Sequence, residues 1–319
     1  MKENGLLLVN LGSPQEPTVP AVKHYLNEFL GDPNVITMPP ALWQPILKGM
    51  ILPFRSKSSA ATYQHCWMPD GSPLIVNTAN LTKRVQEYLP SWDVRMAMTY
   101  EHPAIDETLR TMKKECRHIT VLSLFPHFTQ STTQSIIEQV QAVDPAIRVI
   151  DRFADEPDYL QTLATHVQEV WEQGEYDRLV IAYHGIPVSM VKHGDPYQEE
   201  TERTTAKLRQ LLAIDDDRII MTYQSKFGPM PWLQPYLKDE ILEEIKRGHK
   251  KLLVVVPSFV TDCLETIEED QVENHQRFLD HGGKVFDVVP ALNDRPEFAQ
   301  FLAHFVQQQV ELPEGGALR

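Results

Sequence analysis

Residues 178–187 read RLVIAYHGIP. From Leu179 to Tyr183 the run has no polar face, the pattern of a strand covered on both sides, as in a parallel sheet packed between helices. It ends on His184 and a Gly-x-Pro turn, so its carboxyl end is presented at a bend. The chain opens on a similar stretch, GLLLVNLGSP at 5–14, and two more matches come in the same order. MTY at 98–100 recurs at 221–223, and FPHF at 125–128 faces VPSF at 256–259. Each pair falls at the end of the first, second or third strand of its half, which implies an internal duplication into two similar βαβ domains facing each other.

Strand-length apolar runs at 5–11, 94–100, 119–125, 147–150, 178–184, 218–223, 251–256 and 284–289 complete an α/β reading with four strands in each half. The expected division is an N-terminal domain over 1–155, a C-terminal domain over 156–295 and a closing helix and tail over 296–319 that packs back on the first domain. In open parallel sheets a ligand binds outside the carboxyl ends of the strands. That rule puts His184, Tyr223, Trp232 and Glu265 on one wall of a cleft, with Leu11 and Tyr100 on the other.

With 319 residues and 42% hydrophobic content, the chain is long enough for two such cores. No apolar window reaches the 18 or so residues of a membrane span, and the opening run is too short for a signal peptide, so a cytoplasmic protein is expected. A formal charge of −14 excludes a nucleic-acid backbone as a partner. Cys66, Cys116 and Cys263 are widely spaced and never in a C-x-x-C pair, which argues against disulfides, structural zinc and an iron–sulfur cluster. Phosphate-loop and G-x-S-x-G signatures are absent.

Between the first two motifs, the first half carries about 50 residues more than the second. Much of the excess is residues 38–58, where Leu42, Trp43, Ile46, Leu47, Met50 and Ile51 form a helical stripe broken by Pro45 and flanked by Lys48, Arg55 and Lys57. A stripe of this kind is a core helix or a lip over the cleft. Its presence in one half alone favours the lip, with a peripheral contact to the cytoplasmic membrane as a further expectation.

His184 is a candidate base and metal ligand, because imidazole titrates near neutrality and offers a nitrogen lone pair. Glu265, Glu269 and Glu273 stand at steps of four with no basic residue beside them before Arg277, although like charges at that spacing repel. Asp262-x-x-Glu265 fits a capping box and accounts for two acids. It leaves Glu269 and Glu273 as a row that carries protons out or hydrated cations in, while Glu268 and Asp270, off the row, read as a solvated face. Pro231 and Trp232, in the proline-rich loop QSKFGPMPWLQPY, are placed to press on a flat ligand.

With these residues assembled, the sequence resembles ferrochelatase over residues 5 to about 293. The resemblance rests on GLLLVNLGSP, GDPNVI, GSPL, SLFPHFTQSTT, YHGIP, TYQSKFGPMPWL, DCLETIEE and PALN. It implies two Rossmann-like domains with four-stranded parallel sheets flanked by helices, the chelatase fold, around a porphyrin cleft. It implies His184 and Glu265 as the catalytic and metal-binding pair, Glu269 and Glu273 as a proton or metal path, and Leu11, Pro231, Trp232, Tyr100 and Trp43 as porphyrin contacts beneath a lip at 38–58.

The implied reaction is insertion of Fe2+, a substrate, into a porphyrin, with no prosthetic group. Leu11 stands where the coproporphyrin-using branch has tyrosine, which makes protoporphyrin IX the expected acceptor and protohaem, the last product of haem biosynthesis, the expected product. Cys263 stands where many relatives have histidine, and the chain ends at Arg319 without the cysteine-bearing extension that holds an iron–sulfur cluster in animal enzymes. The alternatives are a chelatase for coproporphyrin or sirohydrochlorin using Fe2+ or Co2+, and a non-catalytic tetrapyrrole carrier, for which the acidic row has no use.

Overall fold

In a computed structural model that describes residues 1–311, the eight apolar runs form eight strands in two four-stranded parallel sheets. The first contains β1 (Lys2–Asn10), β2 (Asp93–Met98), β3 (Cys116–Ser123) and β4 (Arg148–Ile150), in the order β2-β1-β3-β4. The second contains β5 (Arg178–His184), β6 (Ile219–Gln224), β7 (Lys251–Val255) and β8 (Val285–Val288), in the order β6-β5-β7-β8. The two orders are the same, so the repeated motifs occupy equivalent positions: β1 and β5 each lie between the second and third strands of their sheet.

The glycine after each of these inner strands sits where a side chain does not fit. A Cβ on Gly12, at φ 110°, would lie 2.0 Å from the Tyr100 carbonyl oxygen. On Gly185 it would meet the Gln224 carbonyl at 3.0 Å and the Trp232 ring at 3.2 Å. Close backbone approach at the carboxyl end of the sheet is the shared reason for both residues. The loops that leave the second strands match as well. Met98 N–H donates to the Pro103 carbonyl at 2.8 Å, and Tyr223 N–H donates to the Pro235 carbonyl at 2.8 Å, closing a loop over each strand end. The second loop is the longer one, and its extra residues carry Phe227, Pro231 and Trp232.

The halves share a core. Leu6, Leu8, Leu81 and Val85 belong to the same buried cluster as Leu179, Ile181 and Leu253, with Phe298, Phe301 and Phe305 of the last helix, Pro296–Glu311, packed among them. That helix returns to pack on helix Pro73–Tyr88 and β3 of the first half as well as on helix Pro157–Gln173. The part of the expected tail from 312 to 319 lies outside the described residues. Polar bonds add to the join: Asn10 Nδ2 donates to Thr78 Oγ1 at 3.0 Å and to Thr261 Oγ1 at 2.9 Å. Among the described residues no helix is long and apolar enough to cross a membrane.

Candidate functional site

His184 closes β5. Its backbone N–H donates to Ser258 Oγ at 3.2 Å, and its Nδ1 lies 2.7 Å from the Gly185 carbonyl oxygen. A carbonyl only accepts, so Nδ1 carries a proton, and in the neutral ring Nε2 keeps the lone pair that a base or metal ligand needs. The ring lies 6.2 Å from Trp232 and 6.1 Å, edge-on, from Phe259. Trp232 is held by the strand turn itself, since Val188 N–H donates to the Pro231 carbonyl and Leu233 N–H to Ile186. Pro231 is exposed beside it.

The acidic row is a ten-residue π-helix, Glu265–Asn274. Such i→i+5 stretches are rare and recur at functional sites. Glu265 is half-buried, Glu269 is half-buried one turn on, and Glu273 is exposed, so the row leads from the interior to solvent. Glu269 Oε1 accepts from Ser225 N–H at 2.8 Å, and its Oε2 takes the Ser225 hydroxyl. Ser225 stands in the left-handed region, at φ 62°, and directs both donors at one carboxylate. Burial raises the Glu269 pKa, the Ser225 bonds and the His184 charge pull it back, and the Glu265 charge raises it again. His184, Glu265 and Glu269 thus form one electrostatic group.

Several expectations are corrected here. The capping box does not form through Glu265. Thr266 Oγ1 accepts from Cys263 N–H at 3.0 Å and donates to Asp262 Oδ1 at 2.9 Å, while Asn293 holds the other Asp262 oxygen at 2.7 Å. Glu265 is left free of the cap.

Glu268 and Asp270 are buried, not solvated. The wider π turn brings both inward; Asp270 Oδ2 accepts from Gln224 Nε2 at 2.9 Å and Oδ1 from Asn274 Nδ2 at 3.2 Å. Burial, opposed by the two hydrogen bonds and aided by the Glu269 and Glu265 charges, pushes the Asp270 pKa up to about 8. It is therefore largely a neutral acid at pH 7, which removes one charge from the crowded helix.

Tyr100 and Trp43 are buried in the first half. Tyr100 is 4% exposed with its hydroxyl on Asp32 Oδ2 at 2.8 Å, and Trp43 is 8% exposed with Nε1 on the Leu30 carbonyl at 2.6 Å. Each buries its ring and satisfies its polar tip inside the first half. Leu11 remains half-buried, between the cluster that holds Tyr25, Tyr63 and Tyr100 and the one that holds Leu74, Met98 and Cys263.

The lip runs as helix Pro40–Ile46, a π turn Leu47–Ile51 and helix Leu52–Cys66, so Pro45 does not end it. Its outer face exposes Leu42, Met50 and Phe54, and Phe227 and Met230 are exposed on the loop after β6. Arg55, a basic flank in the sequence, spans these two elements in the fold. Its guanidinium carbon stands 4.5 Å over the Phe227 ring, and burial lowers its pKa while the Glu265 charge opposes the shift. Tyr25 and Tyr63, 6.4 Å apart and edge-on, also feel the Glu265 charge, so Glu265 faces the first half across the junction.

A family model described as Ferrochelatase matches residues 3–310. The chain belongs to the ferrochelatase family. It is 59% identical over 309 residues to the coproporphyrin III ferrochelatase of Limosilactobacillus reuteri strain DSM 20016, covering 97% of this chain and 100% of that one. The enzyme of the same name from Lactiplantibacillus plantarum is 52% identical, covering 96% and 95%, and that of Lactococcus lactis subsp. lactis is 42% identical, covering 96% and 98%. Two solved chelatases share the fold. The sirohydrochlorin chelatase SirB of Bacillus subtilis subspecies spizizenii gives a TM-score of 0.56 at 12% identity over 98% of both chains. CbiX, an enzyme of siroheme biosynthesis in denitrifying bacteria, gives 0.53 at 17% over 95% and 98%. Membership makes this ferrochelatase-family chain a metal-inserting enzyme with porphyrin and iron as substrates, in place of the carrier reading.

Proposed function

We propose that the chain inserts Fe2+ into coproporphyrin III, with His184 and Glu265 as the reacting pair. The observation that carries the roles is the free Nε2 of His184, fixed by the Nδ1 bond to Gly185, in one electrostatic group with Glu265 and Glu269. Metallation removes two pyrrole protons and strips water from the ion while four ring nitrogens take over. His184 Nε2 accepts pyrrole protons, and Glu265 stabilises the imidazolium that results or meets the entering ion. Glu269, held by Ser225, and solvent-exposed Glu273 pass charge between the site and solvent.

A cleft that fits a puckered macrocycle better than a flat one lowers the barrier further. Leu11, Pro231 and Trp232 are the apolar surfaces available for that fit. Arg55, a half-buried cation at the junction, suits a carboxylate arm of the porphyrin.

The substrate choice follows the three relatives, all named for coproporphyrin III, whereas Leu11 favours protoporphyrin IX as a second reading. Anaerobic metallation with Fe2+ and each porphyrin separates them. Turnover of coproporphyrin III at least tenfold above protoporphyrin IX supports the first reading, and the reverse ratio supports the second. The apolar outer face of the lip supports peripheral contact with a membrane, testable by co-sedimentation with anionic vesicles before and after Phe54→Ser; equal, negligible sedimentation of both removes that part.

A further inference from the structure

Away from the acidic π-helix, one group of side chains is left without a role. His24 and Glu28 lie one turn apart on helix Val19–Phe29, and Glu101 stands past the end of β2 at φ 66°. His24 Nδ1 is 2.7 Å from Glu101 Oε1 and 4.0 Å from Glu28 Oε1, and Glu28 Oε2 accepts from Glu101 N–H at 2.9 Å. One ligand atom from each of the three lies within 4.8 Å of the other two.

The Glu101 side chain is only 5% exposed. A carboxylate so deep is costly unless it is paired and hydrogen-bonded. Among the described residues, however, no lysine or arginine forms an ion pair with it, and its Oε2 makes no hydrogen bond. The single partner of the carboxylate is the His24 imidazole, itself 64% exposed. The other oxygen of this carboxylate has no protein partner among the described residues, and it stands beside two other potential ligands.

We propose that His24, Glu28 and Glu101 form a divalent-cation site, separate from the porphyrin cleft, for an ion such as Mn2+, Fe2+, Co2+ or Zn2+. One imidazole nitrogen with two carboxylate oxygens is a donor set these ions share, and water completes the shell. The ligand separations suit an ion held at about 2.0 to 2.2 Å from each donor after small side-chain shifts. An ion there supplies the positive charge that Glu101 lacks and ties the helix to the end of β2. Tyr25, next to His24, faces the Glu265 charge, and Phe29 packs on Tyr100 5.4 Å away, so the ion fixes the first-half wall of the cleft.

The test counts Mn2+ bound to the full chain by electron paramagnetic resonance, in a His184→Ala/Glu265→Gln protein that lacks the cleft pair. Adding His24→Asn, or separately Glu101→Gln, is expected to remove one Mn2+ per chain or weaken its binding at least tenfold. Equal stoichiometry and affinity with and without the added substitution overturns the site, as does a parent protein that binds no Mn2+. His24 is mostly exposed, so His24→Asn keeps the test valid even if Glu101→Gln impairs folding. The readout is a metal count, so its failure leaves the porphyrin reading untouched.

Discussion

The third strands of the two halves lead into corresponding π-helical turns, and the difference between those turns locates the chemistry. Gln130–Gln134, after β3, is QSTTQ, neutral and anchored from the other half. Asp195 Oδ2 accepts from Thr129 Oγ1 and from Gln130 N–H, both at 2.8 Å, and Glu200 Oε2 accepts from Phe128 N–H at 2.8 Å. Glu265–Asn274, after β7, is ETIEEDQVEN; it is braced within its own half through Asp262, Thr266 and Asn293. Glu265, free of the cap, meets the charge of Arg55 in the other half, and Glu269 meets that of His184. The same strand order occurs twice. The first turn clamps the two halves together, and the second carries a row of carboxylates.

That contrast can be broken from either side. Asp195→Ala strips a buried acceptor from two donors of the neutral turn and is expected to cost about 2 to 4 kcal/mol by urea unfolding, while the cleft residues keep their places. Glu269→Ala removes the middle of the acidic row and leaves Ser225 N–H unpaired. It is expected to lower the metallation rate about tenfold to a hundredfold, on the scale of general acid–base effects.

A third expectation concerns pH. The Asp270 pKa is raised to about 8, so the native carboxyl keeps its proton where the unfolded one has ionised. The native state then binds more protons between about pH 4 and 8, and stability falls as pH rises through that window, by at most about 1.4 kcal/mol per unit. Asp270→Asn does not titrate. Urea unfolding between pH 6 and 7 is expected to show a shallower fall for the variant; parallel curves would show that Asp270 is ionised in the native state. The smallest effect belongs to Glu273→Gln, an exposed end of the row, with less than about a threefold change in metallation and a larger effect at low salt.

Eight strands and two matching sheets are legible in the sequence because a strand buried on both faces must be apolar throughout, and LLLVNL and LVIAYH have no other good reading. The margins are less so. β1 starts at Lys2 and β3 at Cys116, where polar residues extend each strand beyond its apolar run. His184, Glu265, Glu269 and Trp232 can be brought together from strand-end positions and the repeat. The burial of Glu268 and Asp270 cannot, because an α-helical wheel assigns them to the outer face and nothing in ETIEEDQVEN announces an i→i+5 winding. Trp43 and Tyr100 suggest a cleft wall because aromatic residues suit a flat ligand; their burial and the internal acceptors of the indole N–H and the phenol carry no sequence signal, since such partners are set by tertiary packing. Arg55 carries no signal beyond its charge; only the fold shows that Phe227 arrives beneath it.

In the proposed mechanism His184 and Glu265 act together on one porphyrin. Anaerobic Fe2+ insertion, measured beside porphyrin binding by fluorescence, tests it in wild-type protein, His184→Ala and Glu265→Gln. Both variants are expected to bind porphyrin within about threefold of wild type and to lose at least about a hundredfold in metallation, the scale of a lost catalytic acid–base group. Near-normal turnover in both variants would contradict it.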